Sequence, residues 1–272
     1  MFSGSSATSN QTMPVQQLSS LIELVSSQLN PAAASASESM AWLSSTVNQP
    51  PKKSLVVYLC RLVSRVETPQ NEVRLSLMLL SLICSLARKR AAEETVRIVL
   101  QNLASVEDFW PIVRSYISNT SPTEPPRSVS ARVIALSLFL NAFKLNETVN
   151  SDSWPSLLFS TSIVEGVLEL VHSQPSSRCL SISLEYILMY RRKNSEIFSI
   201  LVEKEWRKME IFIDVCAQLL IHGGNDGTHK WLPFDPFIDQ LDVKEIQGFA
   251  NELLNVGRGS AAVFTPLALM CI

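Results

Sequence analysis

The sequence is poor in glycine and in charge. Only 8 of its 272 residues are glycine, and Gly166 is the only one between Ser5 and His222. β-Sandwiches, doubly wound sheets and nucleotide-binding loops need glycine for turns and close backbone approach, so these classes are excluded. Charged residues make up 18%, below the usual level of about 25%, whereas hydrophobic residues reach 46%. This composition predicts an all-α chain with either a large core or apolar surface covered by a partner.

The chain also lacks basic residues near its N-terminus and long apolar runs. No Lys or Arg precedes Lys52, which fits neither a mitochondrial transit peptide nor a secretory signal. The longest uncharged apolar runs, 75–87 and 133–143, fall short of the roughly 20 residues that cross a bilayer. A net charge of −2 gives no general attraction to nucleic acid or anionic lipid. We therefore expect no membrane contact and a cytoplasmic location, with the nucleus as a second compartment.

Cysteine is scarce and scattered. An odd number of cysteines without CxxC spacing argues against a disulfide framework and against a zinc site. Four of the five lie inside apolar helical runs, where we interpret them as small hydrophobic residues: Cys60, Cys84, Cys179 and Cys216.

What the sequence does contain is a succession of apolar segments with helical spacing, many of them separated by proline. The predicted helices are 14–30, 33–47, 53–66, 70–88, 92–104, 106–119, 128–145, 162–173, 176–192, 194–204, 206–221 and 239–256.

The domain organisation follows from these segments. Residues 1–13 form a polar tail that we expect to be disordered, and 14–50 carry weaker N-terminal helices. The main domain is predicted over 51–256, with a Gly/Pro-rich loop at 223–237, and 257–272 form a tail or short helix.

Three of the predicted helices look alike. RLSLMLLSLIC at 74–84, RVIALSLFLNA at 132–142 and RCLSISLEYIL at 178–188 each begin with arginine and continue as an apolar run with small Ser or Ala. Their spacing is that of helical repeats, whose stacking produces one continuous core. The sequence therefore predicts an all-α armadillo/HEAT-like solenoid of about 12 helices.

Each of the three helices also ends in cations, at 88–90, 144 and 191–193. Positive charge at a helix C-terminus offsets the helix dipole, and this is the simpler interpretation. Alternatively, repeat stacking aligns these ends with Arg74, Arg132 and Arg178 into a basic strip that binds phosphate or an acidic peptide.

No catalytic or metal-binding constellation is visible. The histidines His222 and His229 flank Asp226 at a spacing that matches no standard ligand set. The glycines at 223–227 lack the Lys-Ser/Thr of a phosphate loop. We therefore expect a non-catalytic protein without cofactor or metal. Trp206 and the aromatic segment 231–237 are interpreted as packing residues, with partner binding as the alternative.

The order of the segments resembles the required-for-cell-differentiation family, the armadillo-type, non-catalytic subunit of the carbon catabolite repressor–Not deadenylase complex. The similarity runs through about residues 55–221. It begins at SLVVYLCRLV (54–63) and is clearest at ARVIALSLFLNAFK (131–144). Residues 48–53 depart from the family, which places aromatic and histidine residues there, and 223–237 have no counterpart in it.

The resemblance implies a subunit without chemistry of its own, which links the central Not scaffold to RNA-bound regulators. Partner peptides would insert aromatic anchors between the repeats. By position in the resemblance, the scaffold contact would lie around Lys53, Val56 and Tyr58.

Two other interpretations remain open at this stage. The first is a nucleic-acid-binding repeat protein that uses Arg74, Arg132 and Arg178. A weaker version of it is a protein-binding chain that also contacts RNA weakly. The second is an armadillo-type adaptor of an unrelated complex. The sequence also leaves open whether the chain forms a homodimer.

Overall fold

The computed structural model describes residues 15–29, 41–43, 45–46, 54–118, 129–149, 159–173, 176–222 and 243–259. All regular secondary structure in these ranges is helical. The helices are α1 (Val15–Leu29), α2 (Leu55–Ser64), α3 (Gln70–Arg90), α4 (Glu93–Ala104), α5 (Phe109–Ser118), α6 (Val129–Glu147), α7 (Thr161–Ser173), α8 (Ser177–Lys193), α9 (Ser195–Met209), α10 (Ile211–His222) and α11 (Val243–Gly259). Two further short stretches, 41–43 and 45–46, are also helical.

The first eight helices, α1 to α8, agree with the predicted segments to within three residues at each end. The predicted helix 33–47 is described only at 41–43 and 45–46. The tail at 1–13, the Gly/Pro-rich segment 223–237 and residues 260–272 lie outside the described residues.

The largest difference from prediction lies between α9 and α10. The sequence indicated a break at residue 205, whereas α9 continues to Met209. Glu205 has non-helical dihedral angles inside α9, with φ −107° and ψ 17°. The expected break is therefore a kink, and the true helix boundary comes at Glu210.

The helices pack in two rows. The first row consists of α1, α3, α6, α8 and α11, each in contact with the next. The second row consists of α2, α5, α7 and α9, which contact one another in that order and cover the first row. Because each helix touches mainly its neighbours, the core is continuous along the stack.

The remaining two helices complete the stack. α4 packs against α2, α3, α5 and α6, and α10 packs against α8, α9 and α11. The three look-alike helices are α3, α6 and α8, which are adjacent members of the first row. The structure thus confirms the all-α helical-repeat fold.

α3 is buried on most of its sides because it lies between α1, α2, α4 and α6. Every residue from Leu79 to Ala87 is buried. Small polar residues let α3 and α6 approach each other: Ser81 Oγ lies 3.3 Å from Ser137 Oγ, and Asn141 Nδ2 donates to Ser81 Oγ at 3.0 Å. Hydrogen bonding between these buried groups offsets their loss of water.

Aromatic side chains connect the C-terminal half of the core. Ring centroids lie 5.7 Å apart for Phe139 and Tyr186, and 6.3 Å apart for Tyr190 and Phe198. Phe249 of α11 continues the series, 6.0 Å from Phe198. These distances are typical of favourable aromatic pairs, which add about 0.5–1.5 kcal/mol each beyond simple burial.

Candidate functional site

The predicted scaffold contact lies on α2. Val56 is fully buried, so it belongs to the core and cannot touch a partner. This corrects the sequence-based assignment, and the reason is that α2 is covered by α3, α4 and α5. Lys53 lies outside the described residues. Tyr58 packs against the core but stays partly exposed.

The start of α2 is anchored by a polar contact that the sequence did not reveal. Ser54, the residue before the helix, is buried, and its Oγ accepts a hydrogen bond of 3.0 Å from Asn102 Nδ2 of α4. Arg61 is exposed three residues after Tyr58 and therefore shares its side of the helix. The outer surface of α2 is thus formed around Tyr58 and Arg61, which we call the α2 surface.

Arg132 does not belong to an exposed basic strip. It is 3% exposed, and its Nη2 donates to the carbonyls of Ile117 at 3.2 Å and Gly166 at 2.8 Å. The same nitrogen lies 3.6 Å from Glu169 Oε2. Burial lowers the pKa of Arg132, and the Glu169 carboxylate acts in the opposite direction. Arg132 is therefore not available to bind phosphate at the surface.

The other two arginines of the predicted strip, Arg74 and Arg178, are exposed. Each lies in the first turns of its helix, α3 or α8, with α6 between them in the first row. The strip is interrupted at its middle member, because Arg132 of α6 turns inward.

Gly166 explains why Arg132 can reach two helices at once. A Cβ at this position would meet Ser118 Cα at 2.6 Å and the Ile117 carbonyl oxygen at 2.7 Å. α7 therefore approaches the end of α5 more closely than any side chain would allow. Arg132 bonds to both backbones at this junction, which we call the Arg132 junction.

Three of the cations at the ends of α6 and α8 bind acids of the next helix in the first row. Lys144 of α6 forms an ion pair with the buried Glu185 of α8. Two further ion pairs connect α8 to α11: Arg191 with Glu252 at 2.7 Å and Arg192 with Glu245 at 2.9 Å. In addition, Lys193 Nζ lies 5.5 Å from the centre of the Phe143 ring of α6, in a cation–π contact. These residues therefore join successive repeats.

The cysteines behave as predicted. Cys60, Cys84, Cys179 and Cys216 are free thiols and all are buried. Burial raises the pKa of Cys84 to about 12 and also raises that of Cys179. Because the thiolate is the reactive form, these groups are poor nucleophiles and poor metal ligands.

Within the described ranges, no three His, Cys, Asp or Glu side chains cluster as a metal site would require. His172 Nε2 donates to the Lys208 carbonyl at 2.9 Å and so connects α7 to α9. Nor does any helix in the part of the chain that the structure describes combine the length and apolar character of a membrane span.

Sequence analysis missed an exposed apolar pair on α9. Ile197 and Ile200 are 50% and 68% exposed, and they lie on one side of the helix. The exposed carboxylates Glu196 and Glu203 flank them. The sequence does carry a signal for this pair, because two isoleucines three residues apart share one side of a helix. The buried residues of α9 lie on the other side: Phe198, Leu201 and Val202. Trp206 packs against the core and is only partly exposed.

Comparison with known proteins returned no matching family model, no similar curated protein and no similar solved structure.

Proposed function

We propose that the chain is a non-catalytic adaptor of the carbon catabolite repressor–Not mRNA deadenylase complex, acting in the cytoplasm. It would connect the central Not scaffold to regulator peptides that carry aromatic anchors. The observation that carries this proposal is the adjacency of α3, α6 and α8 in the first row. The three look-alike segments are successive helices of the first row. Such stacking is the armadillo-type architecture that the family resemblance implies.

The use of polar side chains between helices supports an adaptor. Arg132, Lys144 and Asn141 each bond to a neighbouring helix. Their chemistry is used to fix repeats against one another. Stacked repeats in turn present a long surface suited to binding several partners.

The α2 surface is where we place the scaffold contact. Tyr58 and Arg61 are the types of residue enriched at energetically important positions of interfaces. Arg61 is the better test position because it is exposed, so replacing it leaves the core intact. Val56→Glu would place a charge in the core and would report on folding instead.

The first experiment is purification of the tagged full-length chain from its native cells after nuclease treatment. We expect the Not scaffold and the deadenylases in stoichiometric amounts. Arg61→Glu should lower scaffold recovery at least about tenfold, a typical loss for a contact worth more than about 1.4 kcal/mol. The matched control is Arg207→Glu, which changes another exposed arginine, on α9.

Two results would contradict the proposal. Recovery of a different stable set of proteins would make the chain an adaptor of another complex. Normal scaffold recovery with Arg61→Glu and with Tyr58→Ala, both checked for folding by circular dichroism, would move the contact away from the α2 surface.

A further inference from the structure

A long covalent connection joins α11 to the helix before it. Twenty residues, 223–242, separate it from α10, so the covalent connection can span up to about 70 Å. Among the described helices, α11 is also the last of the row. Chain connectivity therefore does not force α11 to occupy its present position.

The side of α11 that faces the stack is apolar and aromatic. Ile246, Phe249 and Leu253 are fully buried. The Phe249 ring lies between those of Phe198 in α9 and Phe212 in α10, at centroid distances of 6.0 Å and 6.4 Å. Phe249 is thus the central anchor of the contact.

Two ion pairs border this anchor. Glu252 binds Arg191 at 2.7 Å, and Glu245 binds Arg192 at 2.9 Å. The acidic residues come four before and three after the phenylalanine, so all three lie on one side of the helix.

The outer side of α11 is polar. Lys244, Gln247, Asn251 and Asn255 are exposed. A helix with one apolar and one polar side stays soluble when it leaves its groove, as the peptide ligands of helix-binding grooves do.

We propose that α8, α9 and α10 form a helix-binding groove, of which α11 is the intramolecular ligand. The groove accepts in trans a helix of another protein with the pattern Glu-x3-Phe-x2-Glu, which displaces α11. Phe198 and Phe212 hold the phenylalanine, while Arg191 and Arg192 select the two acidic residues. This inference goes beyond the proposed function, because it holds whichever complex the chain belongs to.

The test uses the full-length chain and a fluorescent peptide of sequence 243–259. A tethered helix competes at an effective concentration near millimolar, so the wild-type chain should bind the peptide weakly. Phe249→Ala in the chain weakens its own α11 and should raise peptide affinity at least about 100-fold. Glu245→Arg with Glu252→Arg should also raise it, since this variant opens the groove without leaving a cavity.

Matched peptides check specificity. A peptide with Phe249→Ala should lose binding, whereas one with the exposed Gln247 changed to Ala should bind like the original. Adding Arg191→Glu to the Phe249→Ala chain should weaken the original peptide at least tenfold, and Glu252→Arg in the peptide should restore it. Arg65→Glu, at the exposed residue that follows α2, is the matched chain control and should leave peptide affinity unchanged.

Two outcomes would overturn the inference. If neither opened variant binds the peptide while circular dichroism shows an intact fold, α11 is a permanent part of the core. If the opened variants form dimers by light scattering and bind no peptide, the surface exposed by α11 joins two copies of the chain and is not a helix-binding groove.

Discussion

Arg132 is the residue that the structure uses most differently from its two sequence counterparts. It begins the same type of helix as Arg74 and Arg178, yet it alone is buried. Its partners are the carbonyls of Ile117 and Gly166, which lie in α5 and α7. One guanidinium thereby holds α5, α6 and α7 together.

Arg132→Met should destabilise the protein by about 2–3 kcal/mol, because the Ile117 carbonyl near the end of α5 loses a charged donor. The midpoint of thermal unfolding should fall by about 5–10 °C. Arg74→Met is the matched control and should stay within about 0.5 kcal/mol of wild type. Equal effects of the two substitutions would mean that the Arg132 junction contributes little.

Gly166→Ala should also destabilise, by about 1–3 kcal/mol, since the added methyl group meets backbone atoms that cannot rotate away. Gly248→Ala is the matched control. Its methyl group would meet only the Arg191 guanidinium at ordinary distances, and alanine favours a helix over glycine by about 1 kcal/mol. In urea unfolding, Gly166→Ala should therefore lower the free energy of unfolding, whereas Gly248→Ala should raise it or leave it unchanged.

The roles of Arg132 and Val56 could not be predicted from the sequence. Whether an arginine turns inward depends on a carbonyl 34 residues away becoming reachable, and that depends on the close approach at Gly166. The sequence shows that glycine is scarce, but it does not show which helix packs against Gly166. Val56 was placed by resemblance, whereas its burial follows from three helices that pack around α2.

At the scale of elements, a local ion pair accompanies the kink of α9. Glu205 has non-helical dihedral angles, and its Oε2 binds Lys208 Nζ at 2.7 Å. The hydrogen bond from Lys208 lowers the pKa of Glu205, and the charge of Lys204 acts in the same direction. The carboxylate is therefore stabilised in the folded chain.

This pKa shift predicts a pH dependence of stability. The unfolded chain has the ordinary glutamate pKa of about 4.3, so it takes up the proton first as the pH falls. The contribution of Glu205 is complete above that value and is lost as the pH drops toward the lower, folded pKa. Thermal unfolding of wild type and Glu205→Gln should therefore converge between pH 6 and pH 3. Glu203→Gln, at the exposed neighbour, should follow the wild-type curve throughout.

Helices themselves were predictable because apolar spacing and proline mark them directly. The starts and ends of α3 and α8 came within two residues of prediction for this reason. The α9–α10 boundary was misplaced by five residues. The charged run around 203–208 indicates an interruption of the helix, but the sequence does not distinguish a helix end from a kink. The structure has a kink at Glu205, whose ion pairs with Lys204 and Lys208 lie within the same helix.

For the whole molecule, the charge distribution predicts weak binding to nucleic acid. The net charge is −2, and burial of Arg132 leaves only Arg74 and Arg178 of the predicted strip. Two phosphate contacts on single-stranded RNA give a slope of about −1.4 for log affinity against log salt. We expect titrations from 50 to 200 mM salt to give no steeper dependence. A slope beyond about −3 would require a larger basic surface and would favour the RNA-binding interpretation.

The two-row stack has a mechanical consequence. Because each repeat touches mainly its neighbours, a pulling force applied at α1 and α11 is carried through the interfaces in series, and the interfaces can yield one after another. The force–extension curve should therefore show several small unfolding events instead of one large one. The Arg132 junction ties three helices at the middle of the chain. Repeats should peel away from both ends towards it, so that the centre of the protein is the last part to yield.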